Sequence, residues 1–339
     1  MTKFTWSLQA LLGRFLITPH TPCARPDAQG ILMRHQFSPD LESPHAPTVA
    51  QCLRTPRVGR FADTPASSAL RRLYQGLCRM APGLAAHLAF RQLATPPRSA
   101  TIPWPLAIRE HTRTRRVAAG PDQLAVYEWG QGPAVLLVHG WGSNATHLGR
   151  LVQPLLNTGL RVVAFDAPAH GRSSGRSTDM VAFAHAVALL ARDAGPLHAL
   201  IGHSFGAAMA MYATRDWGVD ASRLVLVSPF NDCNWFLDMF ARHVGLTPEV
   251  AQRTRELLTQ RYAGRLDWSR MSVTEMLRQA QRPALVVHDE NDEEIPFEHA
   301  LSMATALPTV QLKATRGLGH HRVLRNPEVL RRVTAFLVD

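Results

Sequence analysis

The chain has 339 residues, 46% of them apolar, 19% charged and 7% aromatic, a mix that excludes collagen, a long coiled coil and wholesale disorder. Its net charge of +11 lies entirely in residues 1–120, where 16 Lys and Arg face 5 Asp and Glu; the balanced remainder argues against nucleic acid as a partner. No apolar run reaches the roughly 18 residues of a membrane-spanning helix, and Cys23, Cys52, Cys78 and Cys233 form neither a metal pair nor a disulfide framework, which points to a reducing, cytoplasmic setting.

Residues 1–68 read as an irregular, basic arm. Eight prolines from Pro19 to Pro65 remove backbone donors and block helix propagation. A short apolar stretch, 4–17, is interrupted by Gln9 and Arg14 and precedes no A-x-A site, so it is not read as a secretory signal; a translation start further in accounts for it at least as well. Residues 69–95 carry Leu70, Leu73, Leu77, Leu84, Leu88 and Leu93 at near-helical spacing with interspersed arginines, and Pro82 divides them into two predicted helices. Packing on the main domain is the favoured reading. A peripheral contact with an anionic membrane surface is the sharper one. Pro96, Pro97, Pro103 and Pro105 mark 96–106 as a linker.

From about residue 107 apolar runs of strand length alternate with helical patterns. Strands are expected at 124–129, 134–138, 161–166, 198–201, 224–227, 284–287 and 310–313. Uninterrupted runs such as AVLLV at 134–138 imply strands covered on both faces, as in a parallel sheet. Helices are expected at 147–156, 180–194, 207–216 and 327–338, and the alternation predicts a doubly wound, mostly parallel α/β sheet. Residues 231–281 are far longer than a crossover requires and are helical in pattern, so they are expected to form an inserted cap over the strand ends.

Four of the loops carry chemistry. Gly202-His203-Ser204-Phe205-Gly206 is a G-x-S-x-G sequence between an apolar strand and a small-residue helix. A sharp turn there raises Ser204 above the sheet, and the helix N-terminus offers amides to an oxyanion; a purely structural glycine turn is the competing reading. A serine hydroxyl needs a base. Gly319-His320-His321, after the last strand, supplies His320, with His321 as the second choice and His170 as a weaker one. The base needs an orienting carboxylate, and the acidic loop from Asp289 to Glu294 offers several. The second oxyanion donor is expected from His139-Gly140-Trp141-Gly142, with the amides of Trp141 and Phe205 as the candidates.

Together, His139 to Gly142, Asp166 to Ser173, Gly202 to Gly206, Asp292 to Pro296 and Gly319-His320 resemble the α/β-hydrolase superfamily in order and spacing, and in particular its bacterial esterase and lipase-like members. The resemblance covers residues 107–339. It implies Ser204 as nucleophile, His320 as base and Asp292 as acid, Asp292 because the family's acid commonly stands four residues before a proline. It implies no metal and no organic cofactor. Two departures are Ala169, where many members have glycine, and Asp232, which follows the strand at 224–227 and keeps a second acid open. The expected activity is hydrolysis of a carboxylic ester or thioester, with a small acyl compound as substrate. Acyl transfer, carbon–carbon cleavage and an inert binding protein are the alternatives.

Overall fold

The computed structural model describes residues 65–263 and 266–339. The arm expected over 1–68 lies outside these residues, together with Cys23 and Cys52, except for its last four positions. Those four are helical: α1 (Pro65–Met80) begins earlier than the leucine spacing predicts, with proline at its first position, where a missing N–H costs nothing. Pro82 then ends α1 and opens α2 (Pro82–Leu93).

The sheet has eight strands, β1 (Arg113–Ala119), β2 (Asp122–Trp129), β3 (Ala134–Val138), β4 (Arg161–Phe165), β5 (Leu197–His203), β6 (Ala221–Val227), β7 (Ala284–Asp289) and β8 (Val310–Thr315), in the order β1-β2-β4-β3-β5-β6-β7-β8. β2 runs antiparallel to β1 and β4, and every other pairing is parallel. β1 is the strand that apolar patterning does not predict. Its sequence RTRRVAA is that of an edge, half in solvent, with Arg115 paired to Glu128 at 2.7 Å and to Asp193.

Every residue of β3 is buried because helices cover both faces. Leu136 and Val138 pack with Phe183, Met209 and Met211 of α5 (Met180–Ala194) and α6 (Phe205–Trp217). Val135 and Leu137 pack on the other side with Leu151 of α4 (Gly149–Leu156) and with Val333 and Phe336 of the C-terminal helix.

Between β6 and β7 lie α7 (Cys233–Val244), α8 (Pro248–Arg261) and α9 (Val273–Ala280). The pair α1–α2 packs on them. Cys78, Ala85, Ala86 and Val250 share a small apolar cluster, and the Arg71 guanidinium donates to the His243 carbonyl at 3.3 Å. The outer side of the pair leaves Leu73, Met80 and Leu84 exposed beside Arg72 and Arg79.

The expected linker at 96–106 is docked and leads into the short helix α3 (Leu106–Arg109). Ser99 N–H donates to the Gly142 carbonyl at 3.3 Å, Ile102 N–H to Thr146 Oγ1 at 3.1 Å, and Trp104 stands edge-on to Trp129 at 4.8 Å. The residues before the sheet therefore brace the loop after β3. Among the described residues no helix is long and apolar enough to cross a membrane.

Candidate active site

β5 ends at His203 and α6 starts at Phe205, so Ser204 makes the turn alone, at φ +55° and ψ −126°. A non-glycine residue there costs about 1–3 kcal/mol and persists only where its surroundings enforce it. The enforcement is visible. Ser204 N–H donates to the Val227 carbonyl at 2.8 Å, so β6 holds the turn from one side. Gly206 seats α6 against β3: a Cβ there would lie 2.2 Å from the His139 carbonyl oxygen and 2.6 Å from that of Val138. A Cβ at Gly202 would lie 2.5 Å from Ala207 Cα.

The loops after β7 and β8 meet beside this turn. His320 lies beyond α10 (Glu298–Ala306) in the short helix α11 (Gly319–Arg322), and its Nδ1–H donates to Asp292 Oδ2 at 2.7 Å. Asp292 has no exposed side-chain surface, and its Oδ1 accepts from the amides of Glu294 and Ile295 at 2.9 and 3.0 Å. Asp289 fixes one loop to the other, with Oδ2 accepting from Leu318 N–H at 2.9 Å and from Thr315 Oγ1–H at 2.8 Å.

His203, next to Ser204 in the chain, donates its Nε2–H to the His320 carbonyl at 3.0 Å and lies ring against ring with it at 4.8 Å. This bond ties the histidine loop to the serine turn. Burial holds the His203 imidazole well below its ordinary pKa, so it stays neutral and keeps its tautomer.

The other candidates that the sequence offers sit elsewhere or are already occupied. Asp232 caps α7, accepting from the backbone N–H and Nδ2–H of Asn234 at 2.7 and 2.9 Å. His170 is buried, with Nδ1–H donating to the Pro168 carbonyl and Nε2 accepting from Gly142 N–H, both at 2.9 Å, so neither nitrogen is free to take a proton. His321 is half exposed and places Nε2 3.0 Å from Glu294 Oε1. Ala169 adopts φ +64°, the left-handed region that favours glycine, which gives that departure its physical content as a strained turn.

His170 also shapes the loop after β3 by drawing in the Gly142 amide. The amides of Trp141 and Phe205 donate to no acceptor among the described residues. The two side chains stack edge-on at 5.0 Å and, with Phe236, wall a narrow apolar cleft. Leu93, Met180, Leu237 and Leu258 complete its apolar lining, and Asp179 stands at its edge. Leu93 comes from α2, outside the stretch in which the sequence motifs lie.

Electrostatics centre on His320. Burial alone would lower its pKa, but Asp292 and then Glu294 outweigh burial and raise it to about 9. Asp292 is held far below the usual carboxylate range: burial opposes this, but the charges and hydrogen bonds of His320 and His288 together outweigh it. Among the described residues no cluster of His, Cys, Asp and Glu is suited to a metal ion.

Sequence reasoning missed His203, Asp289, Glu294 and Leu93. Only Asp289 and Glu294 carried a signal, as members of the acidic loop already singled out.

Residues 135–333 match the sequence profile described as the alpha/beta hydrolase family. A non-heme chloroperoxidase of Streptomyces lividans is 27% identical over 253 residues, covering 60% of this chain and 91% of that protein. A non-heme haloperoxidase of Rhodococcus erythropolis is 24% identical over 251 residues, covering 60% and 91%. Among solved structures, an esterase of Pyrococcus furiosus superposes with a TM-score of 0.54 at 21% identity, covering 73% of this chain and 97% of that one. The sheet order, the serine turn and the matched profile agree, and the chain belongs to the alpha/beta hydrolase family.

Proposed function

We propose that the protein is a serine hydrolase that cleaves a carboxylic ester or thioester through an acyl-enzyme. The observation that carries this reading is the 2.7 Å bond between His320 Nδ1 and Asp292, on a loop tied through His203 to the strained Ser204 turn. Ser204 Oγ attacks the acyl carbon as His320 Nε2 takes its proton. Asp292 holds the imidazole and stabilises its charge. The amides of Trp141 and Phe205 receive the oxyanion. His320 returns the proton to the departing alcohol or thiol, and water then releases the acid by the same steps in reverse order.

A fluorophosphonate probe tests the reading. Wild-type protein should be labelled at Ser204, as located by peptide mass spectrometry. Ser204→Ala should lose both the label and turnover of nitrophenyl butyrate, by about 10⁴-fold or more. Full activity in the mutant would end the proposal.

The same residues serve acyl transfer or carbon–carbon cleavage, because fold does not choose among them. Product analysis with alcohol and thiol acceptors separates these outcomes.

The apolar side chains of Trp141, Phe205 and Leu93, beside the serine turn, favour an acyl chain that lies against them. Leu93→Ala should lengthen the preferred chain, raising kcat/KM for hexanoate relative to butyrate by about tenfold. An unchanged chain-length profile would place the acyl group elsewhere.

A further inference from the structure

Asp292 accounts for one edge of the His320 ring, and a second carboxylate stands at the other. Glu294 Oε2 lies 3.8 Å from His320 Nε2, and Oε1 lies 3.0 Å from His321 Nε2. The first distance is within ion-pair range yet longer than a hydrogen bond, so Nε2 keeps its lone pair or proton available to a third group. Glu294 cannot drift far: its own N–H donates to Asp292 Oδ1, and its side chain is only 22% exposed.

We propose that Glu294 is a second carboxylate partner of His320, a positioning residue that stabilises the imidazolium from the Nε2 edge while Asp292 holds Nδ1. This inference rests on the reading of Ser204 and His320 given above.

The groups that face His320 are few. Asp292 and Glu294 come from the loop after β7, His203 from the end of β5, and His321 from the same short helix. His288 stands behind Asp292, its Nε2 3.4 Å from Oδ2. His203 is neutral, so only the two carboxylates favour a positive His320. Glu294 is itself held below its ordinary pKa: burial opposes this, but the two histidines outweigh burial, so it is charged across the working range.

The consequence has two opposed parts. In the free enzyme the second carboxylate keeps His320 protonated to higher pH and so withholds the base. In the transition state the same charge stabilises the imidazolium that forms when Ser204 is deprotonated. Removing it should therefore speed the reaction at low pH and slow it at high pH.

Glu294→Gln keeps the shape and the amide bond to Asp292. The acid limb of kcat/KM for nitrophenyl butyrate should move from near pH 9 to lower pH by about one unit. The variant should run about threefold faster than wild type below that limb and about threefold slower on the alkaline plateau, so the two profiles cross. A limb that stays in place, or uniform loss at every pH, would overturn the proposal.

Nitrogen NMR titration of His320 in the Ser204→Ala background gives the same answer without turnover. Its midpoint should fall in the Ser204→Ala/Glu294→Gln double variant, and an unmoved midpoint counts against Glu294. If the midpoint falls but wild type and Ser204→Ala hydrolyse esters equally, Glu294 acts as proposed and the serine mechanism is what fails.

Discussion

On the serine mechanism proposed above, Asp292→Asn is expected to lower kcat/KM for nitrophenyl butyrate by about 10⁴-fold in a folded protein. The asparagine oxygen can still accept from the amides of Glu294 and Ile295, so the loop has no reason to open. What changes is the other end of the side chain. An NH₂ group facing His320 Nδ1 must donate, which forces the proton onto Nε2 and leaves no lone pair to receive the Ser204 proton. The stability of the same variant gives an independent reading. His320 is raised to about 9, so its share of wild-type stability is full below the unfolded histidine value of about 6.5 and is lost as pH rises through 9. Asp292 is depressed, so its share is present above the unfolded value of about 3.9 and is lost only as pH falls through the lower folded value. Wild type should therefore lose stability between about pH 6.5 and 9, and Asp292→Asn should flatten that slope. Urea melts across this range measure it; an equal slope in the two proteins would mean that the pair is not ionised as described.

The parts of this site that could be read in the sequence are those in which backbone geometry dictates residue type. Gly202 and Gly206 flank Ser204 because no Cβ fits at either place, and that necessity leaves a motif. Asp292 follows an apolar run legible as a strand and His320 a less apolar one, and parallel strands bring their carboxyl ends to one edge of the sheet. Other members left no such trace. His203 acts through one side-chain bond to a backbone carbonyl 117 positions away, and nothing in local spacing announces such a pairing. Leu93 reaches the cleft only because α2 packs on α8, a contact between helices far apart in the chain. The acidic loop reads as a source of the orienting group, but the separate duties of Asp289, Asp292 and Glu294 depend on which loop each one faces.

The same division holds for the fold. Strands buried on both faces were legible because their runs are wholly apolar. β1 was not, because an edge strand meets solvent and is written in arginine and threonine. The segment 96–106 carries four prolines and reads as a connector, yet it folds against the domain: proline constrains the backbone but says nothing about what the chain lies on. Its bonds to Gly142 and Thr146 make it a brace for the loop that carries Trp141.

Gly206→Ala should be among the most destabilising single-methyl additions in the protein, costing about 4 kcal/mol or more. The added carbon would sit 2.2 Å from one backbone oxygen and 2.6 Å from another, both on the chain leaving β3, and neither oxygen can swing aside as a flexible side chain would. Helix α6 would have to lift from the sheet. Its buried face, including Met209 and Met211, would lose contact with β3, and the Phe205 amide would move with it. Gly76→Ala is the matched control. It lies within α1 with nothing within 4 Å of the position a Cβ would take, so alanine should stabilise the helix by about 0.5–1 kcal/mol. The two variants add the same methyl group to helical glycines and should move the urea midpoint in opposite directions. A wild-type midpoint for Gly206→Ala would mean that α6 can leave β3 without cost, and the tight seating that sets the Ser204 turn would have to be abandoned.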